Sequence, residues 1–242
     1  METININCDL GEGGNYDVEL MPLISSCNIA CGGHAGNLET MQKTISLALD
    51  YKVKIGAHPS YPDKENFGRQ SIKIDLEDLK TSLVAQILSL KQLVEAEGGT
   101  LSHVKPHGAL YNDAAKNSEI AKIIIDAICT IDDSLLLYAP QESVLASEAF
   151  GKLSVVIEAF ADRNYLDNYQ LVPRSEENAV ITDKNTVLNH LSSMVLLNSI
   201  TTINNHKLDC HANTFCLHSD TPNSVEILQY LHKKFAEKNI II

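Results

Sequence analysis

The chain has 242 residues and carries 19 Lys and Arg against 31 Asp and Glu, which gives a formal net charge of −12 at pH 7. Hydrophobic residues make up 44% and charged residues 21% of the chain, so a disordered, collagenous or disulfide-stapled protein is excluded. Because an acidic surface repels phosphate groups and anionic lipids, neither nucleic acid nor a membrane is expected as a partner.

Short apolar segments alternate with amphipathic segments, which predicts strands alternating with helices. The predicted strands are Ile4–Leu10, Ser26–Ala30, Val53–His58, Leu101–Pro106, Leu135–Ala139, Val155–Ala161 and Thr214–His218. The predicted helices are Leu38–Tyr51, Leu76–Glu97, Ser118–Ile131, Gln141–Phe150, Asn185–Asn198 and Ser224–Glu237. The second helix has the clearest signals, because its apolar residues recur at steps of three and four, Asp75 can cap its start and Gly98 can end it.

The first residues and the cysteines both favour a cytoplasmic location. Met1–Thr3 leads directly into an alternating segment with neither the basic nor the apolar region of a signal peptide. The longest apolar runs are too short to span a bilayer. The six cysteines lack the spacing of a zinc or redox motif, and we interpret them as reduced packing residues.

The position of the polar residues distinguishes two architectures for such a chain. Strands that alternate with helices pair in parallel through right-handed crossovers, as an open sheet or as a closed barrel. Ionisable and amide groups follow the carboxyl ends of most predicted strands, and only a barrel gathers all these ends at one mouth. We therefore predict an α/β fold with one β/α-barrel domain over residues 1–242.

The fourth predicted strand carries three basic side chains on one face, because residues two apart in a strand point the same way. They are His103, Lys105 and His107. A lysine beside an imidazole in a site with low-dielectric walls can stabilise an oxyanion or a phosphoryl group. The alternative is that this face is solvated or ion-paired to Glu158, and His103, deeper in the strand, suits a structural hydrogen bond.

Two glycine-rich segments and several strand ends supply the other candidates. Asp9 and Glu12 lie among glycines that permit close approach to a ligand, as a general base and its orienting group or as a polar turn. Arg69 could bind a carboxylate through two nitrogens or form a surface salt bridge. The remaining candidates are Asn28, His34, His58, Asp162, Arg163, Tyr165, His218 and Asp220. The other histidines outside the strand patterns, His190, His206, His211 and His232, are interpreted as solvated.

Six motifs, in order from the first strand to the last, resemble the LamB/YcsF family. They are Cys8–Glu12, Ser26–Gly36, Gly56–Asp63, Val104–Tyr111, Phe160–Tyr165 and His218–Pro222. The resemblance implies a seven-stranded, TIM-like β/α barrel similar to those of glycoside hydrolases and deacetylases. It also implies an enzyme that opens the lactam of 5-oxoproline to glutamate while hydrolysing ATP, in a complex with two further subunits, B and C.

The roles implied by this resemblance remain hypotheses at this point. Arg69 or Arg163 would hold the substrate carboxylate, Lys105 and His107 would stabilise developing charge, and Asp9 or Glu12 would position the attacking water. The proton-transfer or orienting groups would be His34, His58, Asp162 and His218. Further substrate-binding residues would be Asn28, Tyr165 and Asp220. ATP would be a co-substrate accompanied by Mg²⁺, although the chain contains neither a P-loop motif nor a G-x-G-x-x-G motif.

Two alternatives to ATP-dependent lactam opening stay open. The first is a metal-dependent amidase or deacetylase in which Asp9, His58 and His107 hold a metal with one open position, although no metal is assigned by the motifs. The second is a non-catalytic protein that binds the substrate, while the reaction takes place in its partners.

Overall fold

Strands and helices alternate along residues 2–242, the part of the chain that the computed structural model describes. The strands are β1 (Glu2–Thr3), β2 (Asn5–Leu10), β3 (Ser26–Ala30), β4 (Lys54–His58), β5 (Leu101–Val104), β6 (Leu136–Pro140), β7 (Val155–Phe160), β8 (Ser199–Thr201), β9 (Lys207–Asp209), β10 (Thr214–Cys216) and β11 (Ile240–Ile241). The helices are α1 (Asp17–Leu20), α2 (Leu38–Tyr51), α3 (Leu76–Ala96), α4 (Gly108–Ala114), α5 (Ser118–Ile131), α6 (Val144–Ala149), α7 (Lys184–Leu197) and α8 (Ser224–Ala236), with a 3₁₀ turn at Met21–Leu23.

Seven parallel strands close into a barrel in the order β10-β2-β3-β4-β5-β6-β7. The last of them in sequence, β10, pairs with both β2 and β7 and so completes the ring. The predicted seven-stranded β/α barrel is therefore confirmed, and each predicted barrel strand agrees with the observed one to within two residues at either end. Because every strand runs the same way, all seven carboxyl ends open at one mouth.

Five of the six predicted helices begin and end within one residue of their predicted bounds, whereas the predicted helix Gln141–Phe150 is observed only over Val144–Ala149. Asp75 accepts hydrogen bonds from the backbone N–H groups of Glu77 and Asp78 at the start of α3, and Gly98 follows its end with φ 78°. One apolar cluster joins the helices to the outer faces of the strands. None of the helices in residues 2–242 combines the length and apolar character required to cross a bilayer.

The shortest elements had no detectable sequence signal. Helix α4 has seven residues and is separated from the end of β5 by three residues, and α1 has only four residues, too few to show a helical period. Two small sheets lie outside the barrel, one joining β1 to β11 and one joining β8 to β9. Five cysteines are buried, in agreement with the predicted packing role, although Cys216 also accepts a hydrogen bond from Lys105, and Cys129 is exposed on α5.

The barrel interior is polar along its length, not only at its mouth. At the amino end, Ser26 and Thr214 both donate hydrogen bonds to Asn5 Oδ1, and Asn7 donates to Thr214 Oγ1. Ile6, between the two asparagines, is completely buried and belongs to the outer apolar cluster. Strand alternation thus places a hydrogen-bonded network inside the ring and the hydrophobic core between ring and helices.

His190 corrects one interpretation made from the sequence. It was expected to be solvated, but it is buried on α7 and its Nε2 donates to the backbone carbonyl of Arg163 at 3.1 Å. Burial lowers the pKa of His190 to about 4. Nothing in the sequence around His190 indicated that its ring would bond to a backbone carbonyl.

Replacing His190 by glutamine is expected to make the fold less sensitive to acid. A buried histidine with a pKa of about 4, against about 6.5 when unfolded, binds its proton more readily in the unfolded chain, so stability falls as the pH drops through that interval. Between pH 7 and pH 5, the wild-type protein should lose about 2 kcal/mol of unfolding free energy that the variant retains. Urea unfolding at both pH values measures the difference. The exposed His206→Gln is the matched control, and equal acid losses in all three proteins would contradict the prediction.

Candidate active site at the mouth of the barrel

The carboxyl ends of the barrel strands open into a cavity of about 520 Å³, large enough for a small metabolite. Ten of the thirteen predicted site residues line it: Asp9, Glu12, His58, Arg69, Lys105, His107, Arg163, Tyr165, His218 and Asp220. The other three, Asn28, His34 and Asp162, lie behind residues that line it. The barrel therefore brings the predicted side chains together from six strands or the loops that follow them.

A buried ion cluster centred on Lys105 forms the floor of the cavity. Its Nζ donates to Asp9 Oδ1 at 3.0 Å, Asn7 Oδ1 at 3.2 Å and Cys216 Sγ at 3.1 Å, and it lies 2.9 Å from Glu158 Oε1. Burial by itself lowers the pKa of a lysine, but the charges around Lys105, that of Asp9 first, hold its pKa well above the usual value. The donors of the ammonium are thus all bound by groups of the protein. The ion pair with Glu158, predicted as an alternative, is observed.

Asp9 joins this ion cluster to a group of histidines. Its Oδ1 accepts from Lys105, while its Oδ2 lies 3.4 Å from His58 Nε2. Burial alone raises the pKa of a carboxyl, but His58 and Lys105 outweigh it and hold the pKa of Asp9 well below its usual range. Asp9 is therefore an ionised carboxylate with one oxygen turned toward an imidazole.

The second predicted carboxylate, Glu12, lies against three imidazoles. Its Oε1 is 2.8 Å from His34 Nε2, 3.3 Å from His107 Nδ1 and 3.8 Å from His58 Nε2. Burial raises the pKa of Glu12 and lowers the pKa of His107 to about 3. The three imidazoles and Glu12 form one cluster whose ligand atoms all lie within 4.8 Å of one another.

His34 supports this cluster from behind the cavity. Its ring stacks on that of His107 with centroids 3.6 Å apart and planes 3° from parallel. Its Nε2 faces Glu12 Oε1, whereas its buried Nδ1 has no hydrogen-bond partner within residues 2–242. Burial lowers the pKa of His34 to about 3, so the neutral ring donates to Glu12 and orients that carboxylate.

The loop after β4 holds the imidazoles in place. Gly68 has φ +62°, and a Cβ there would lie 2.9 Å from His34 Cβ and 3.0 Å from His107 Cδ2. The preceding residue, Phe67, offers its carbonyl to His107 Nε2 at 2.9 Å, and Gly68 itself accepts from Ala109 N. Only glycine fits this conformation and this close approach, which explains its place in the sequence.

Asn28 is corrected from a substrate-binding residue to a positioning residue. It is completely buried, and its Nδ2 donates to both Asn7 Oδ1 and Asp9 Oδ1 at 2.8 Å. Its Oδ1 lies 2.8 Å from His103 Nε2, in agreement with the structural hydrogen bond predicted for that histidine. Asn28 therefore fixes the Asp9 carboxylate from below and does not line the cavity.

Asp162 orients the loop at the end of β10. It accepts from the backbone N–H of His218, lies 3.0 Å from its Nδ1, and also accepts from Thr221 Oγ1. Burial would raise the pKa of this carboxyl, but His218 outweighs it and lowers the pKa of Asp162 to about 2. Of this pair only His218 lines the cavity, stacked on Phe160.

Arg163 and Tyr165 line the cavity, but their polar groups hold the chain that follows β7. Arg163 donates through Nε to Ala179 O and through Nη2 to Val172 O, and Tyr165 Oη accepts from Phe160 N at 2.8 Å. These bonds tie the 163–180 loop to the barrel end. Arg163 and Tyr165 therefore have structural roles. Of the two arginines predicted to bind a carboxylate, Arg69 fits that role better than Arg163.

The rim of the cavity carries a guanidinium that sequence reasoning missed. Arg174 donates to both oxygens of Asp220, at 2.9 and 3.3 Å, and Arg69 donates to Asp220 Oδ2 at 2.6 Å. Two arginines against one carboxylate leave a net positive charge at the rim. Arg174 lies in an irregular loop far from any predicted strand end, so no periodicity or motif could have identified it. Asn7, in contrast, was detectable, because it lies two residues before Asp9 on the same strand face.

Fold and site together define a β/α-barrel protein with a polar cavity at the carboxyl ends of its strands. The chain belongs to the LamB/YcsF family, whose profile matches residues 4–242. It is 41% identical over its whole length to a Bacillus cereus protein named as the A subunit of 5-oxoprolinase, covering 98% of that relative. It is 39% identical to a Vibrio cholerae protein of the same name, with 93% of this chain and 95% of the relative covered.

A solved structure agrees with this assignment. The lactam utilization protein from Thermus thermophilus superposes with a TM-score of 0.92 at 34% identity, covering 100% of this chain and 99% of the other. The predicted family is thus confirmed by both sequence and structure.

Proposed function

We propose that this chain is the A subunit of an ATP-dependent 5-oxoprolinase and that its barrel mouth hosts the opening of 5-oxo-L-proline to L-glutamate. The observation that carries the proposal is the cavity itself, in which a net-positive rim faces an ionised Asp9 and an imidazole cluster. The names of the relatives in Bacillus and Vibrio support the same activity.

The rim is suited to the substrate's only charge at neutral pH, its carboxylate. Arg69 and Arg174 both donate to Asp220, so two positive charges face one negative charge. A substrate carboxylate would supply the second negative charge and neutralise the pair. We propose that these two arginines, and not Arg163, bind the substrate carboxylate. The lactam ring then extends toward Asp9 and the histidines.

The floor of the cavity supplies groups for the hydrolytic half of the reaction. A five-membered lactam is a stable amide, and phosphorylation of its oxygen by ATP converts it into an activated imidate. A water held by Asp9 or Glu12 gives a proton to that carboxylate as it adds to the ring carbon, the C–N bond breaks, and the nitrogen takes up the same proton from the carboxylate. A second water hydrolyses the resulting acyl phosphate, which releases phosphate and glutamate.

Lys105 has a different role in this proposal from the one expected from the sequence. Because its donors are bound to Asp9, Asn7 and Cys216, it acts by fixing and ionising Asp9 and not by contacting a phosphoryl group or an oxyanion. ATP with Mg²⁺ remains the proposed co-substrate of the assembled complex, and the B and C subunits remain its proposed partners.

Coupled turnover tests the proposal. The chain is mixed with its B and C partners, and glutamate and ADP are followed together, with 5-oxoproline and without it. Glutamate formed in step with ADP, only when this chain and the substrate are present, is the expected result. Glutamate formed without ATP would favour the amidase alternative. A chain that binds 5-oxoproline, and whose site variants leave the complex fully active, would favour the non-catalytic alternative.

Arg174→Ala is expected to weaken substrate binding more than it slows turnover. The substitution removes a charge-assisted contact of about 2 kcal/mol, so KM for 5-oxoproline should rise roughly 30-fold while kcat changes little. Steady-state kinetics of the reconstituted complex measures both constants. The exposed Lys152→Ala removes one positive charge far from the rim and serves as the control. An unchanged KM would contradict the role of the rim.

A further inference from the structure

Two imidazoles in the mouth have their outer nitrogens fixed by backbone carbonyls. His58 Nδ1 lies 2.7 Å from Lys105 O, and His107 Nε2 lies 2.9 Å from Phe67 O. A carbonyl oxygen only accepts, so each of these nitrogens carries the proton and donates it. In a ring that carries only this one proton, the inner nitrogen is bare, and the two inner nitrogens are His58 Nε2 and His107 Nδ1.

These two bare nitrogens face each other at 3.0 Å, with a carboxylate beside them. Glu12 Oε1 is 3.3 Å from His107 Nδ1 and 3.8 Å from His58 Nε2, so three electron-pair donors converge on one point. Donors this close repel one another unless something positive lies among them. Either a shared proton or a metal cation meets that requirement.

The spacing of the three donors fits a cation. Atoms separated by 3.0, 3.3 and 3.8 Å can all be about 2.1 Å from one ion that lies about 0.7 Å out of their plane. Two imidazoles and one carboxylate on one face leave the opposite face of the ion open to the cavity, as in facial two-histidine, one-carboxylate sites. We infer that His58, His107 and Glu12 bind one divalent first-row transition-metal cation at the barrel mouth.

The surroundings of the three donors match those of a metal site. Ligating histidines usually donate their second ring nitrogen to a carbonyl or carboxylate, which fixes the tautomer, and both histidines here do so. His34 orients the ligating oxygen of Glu12 from the other side, with its ring stacked on His107. Because His34 Nε2 donates its proton to Glu12 Oε1, this nitrogen has no free lone pair, and His34 acts as a support and not as a fourth ligand.

The site differs from the metal alternative considered from the sequence. There, Asp9 joined His58 and His107 as the carboxylate ligand, whereas Glu12 is the carboxylate near both imidazoles. Asp9 Oδ2 is 3.4 Å from His58 Nε2, and its Oδ1 is held by Lys105. Asp9 therefore flanks the site, where it could accept a hydrogen bond from a water on the open face of the cation. A cation of this class lowers the pKa of a bound water.

Metal uptake by the full chain, produced without a histidine tag and treated with a chelator, tests this inference. Titration with Co²⁺ followed by visible absorption, and with Zn²⁺ or Mn²⁺ by calorimetry, should show one saturable cation per chain. Glu12→Gln, His58→Gln and His107→Gln should each weaken binding by more than the 10- to 100-fold typical of losing an outer partner. His34→Gln should fall within that smaller range, and the exposed His206→Gln should bind as the wild type does.

A measurement on the wild-type chain keeps the test valid if a variant fails to fold. With isotope-labelled histidine, Zn²⁺ should shift one Nε2 and one Nδ1 resonance, because the two ligating nitrogens are of different types. Absence of saturable uptake, or uptake that all three ligand variants retain, would overturn the site in favour of a shared proton. This inference stands on donor geometry alone, so a chain that binds the cation but whose complex with the B and C subunits lacks lactam turnover would contradict the proposed function and leave the metal site intact.

Discussion

Asp9→Asn is expected to reduce glutamate formation by the reconstituted complex about 10²- to 10⁴-fold, the contribution typical of a positioned general base. Asparagine can still accept the bonds from Asn28 and Lys105 through its oxygen, so the fold should persist. The change places an amide where the ionised oxygen faced His58, and the group that positions the attacking water is lost. Turnover at saturating 5-oxoproline and ATP measures the effect.

The matched control for Asp9→Asn is Asp126→Asn, the same chemical change on the exposed face of α5. It should leave turnover within about twofold of the wild-type rate, as expected for a surface substitution that touches no site residue. Thermal unfolding of both variants separates a loss of chemistry from a loss of fold. If Asp9→Asn remained folded and turned over at the wild-type rate, the proposed position of the attacking water would be wrong.

Lys105→Met is expected to lower the free energy of unfolding by about 3–5 kcal/mol, the range for removing one partner of a buried ion pair. The substitution leaves Asp9 and Glu158 as buried carboxylates without their shared cation, and the side chain of Glu158 is 0% exposed. Urea unfolding at neutral pH measures the loss. The same variant should also lose turnover, because Asp9 would no longer be held in place.

A second substitution tests whether the loss of stability in Lys105→Met comes from charge and not from packing. Adding Glu158→Gln to Lys105→Met removes one unpaired buried charge and should recover part of the lost stability, so the two changes should be non-additive. The exposed Lys122→Met, which breaks only a surface contact with Glu148, should cost no more than about 1 kcal/mol. Strictly additive losses in the double variant would show that Lys105 contributes through packing and not through charge.

The barrel strands were predictable because their signal is local. Alternation of apolar and polar residues in β2 and the helical period of α3 are properties of neighbouring residues, and the ends of both elements follow from caps and turns. Most of the mouth followed from the same reasoning, since parallel strands in a closed ring bring their carboxyl ends together. The roles of some predicted residues needed revision, most clearly those of Asn28, Lys105 and Arg163.

The pairings inside the mouth were not predictable from the sequence. Lys105 meets Asp9 and Glu158, which are 96 and 53 positions away along the chain, so their contact depends on how seven strands close into a ring. Arg174 reaches the rim from an irregular loop whose path is held by two carbonyl contacts with Arg163.

The sequence by itself determined the strands and helices, the barrel, the family and the set of ionisable groups at the mouth, because each of these depends on local pattern or on motifs read in order. Two facts came only from the tertiary structure. The first is which nitrogen of His58 and of His107 faces the cavity without a carbonyl partner, and the second is that Glu12 lies close to both histidines. These facts depend on contacts with the carbonyls of Lys105 and Phe67, which come from different loops. A change of an ångström in those contacts alters what a donor can bind, and the linear order of residues does not encode such distances.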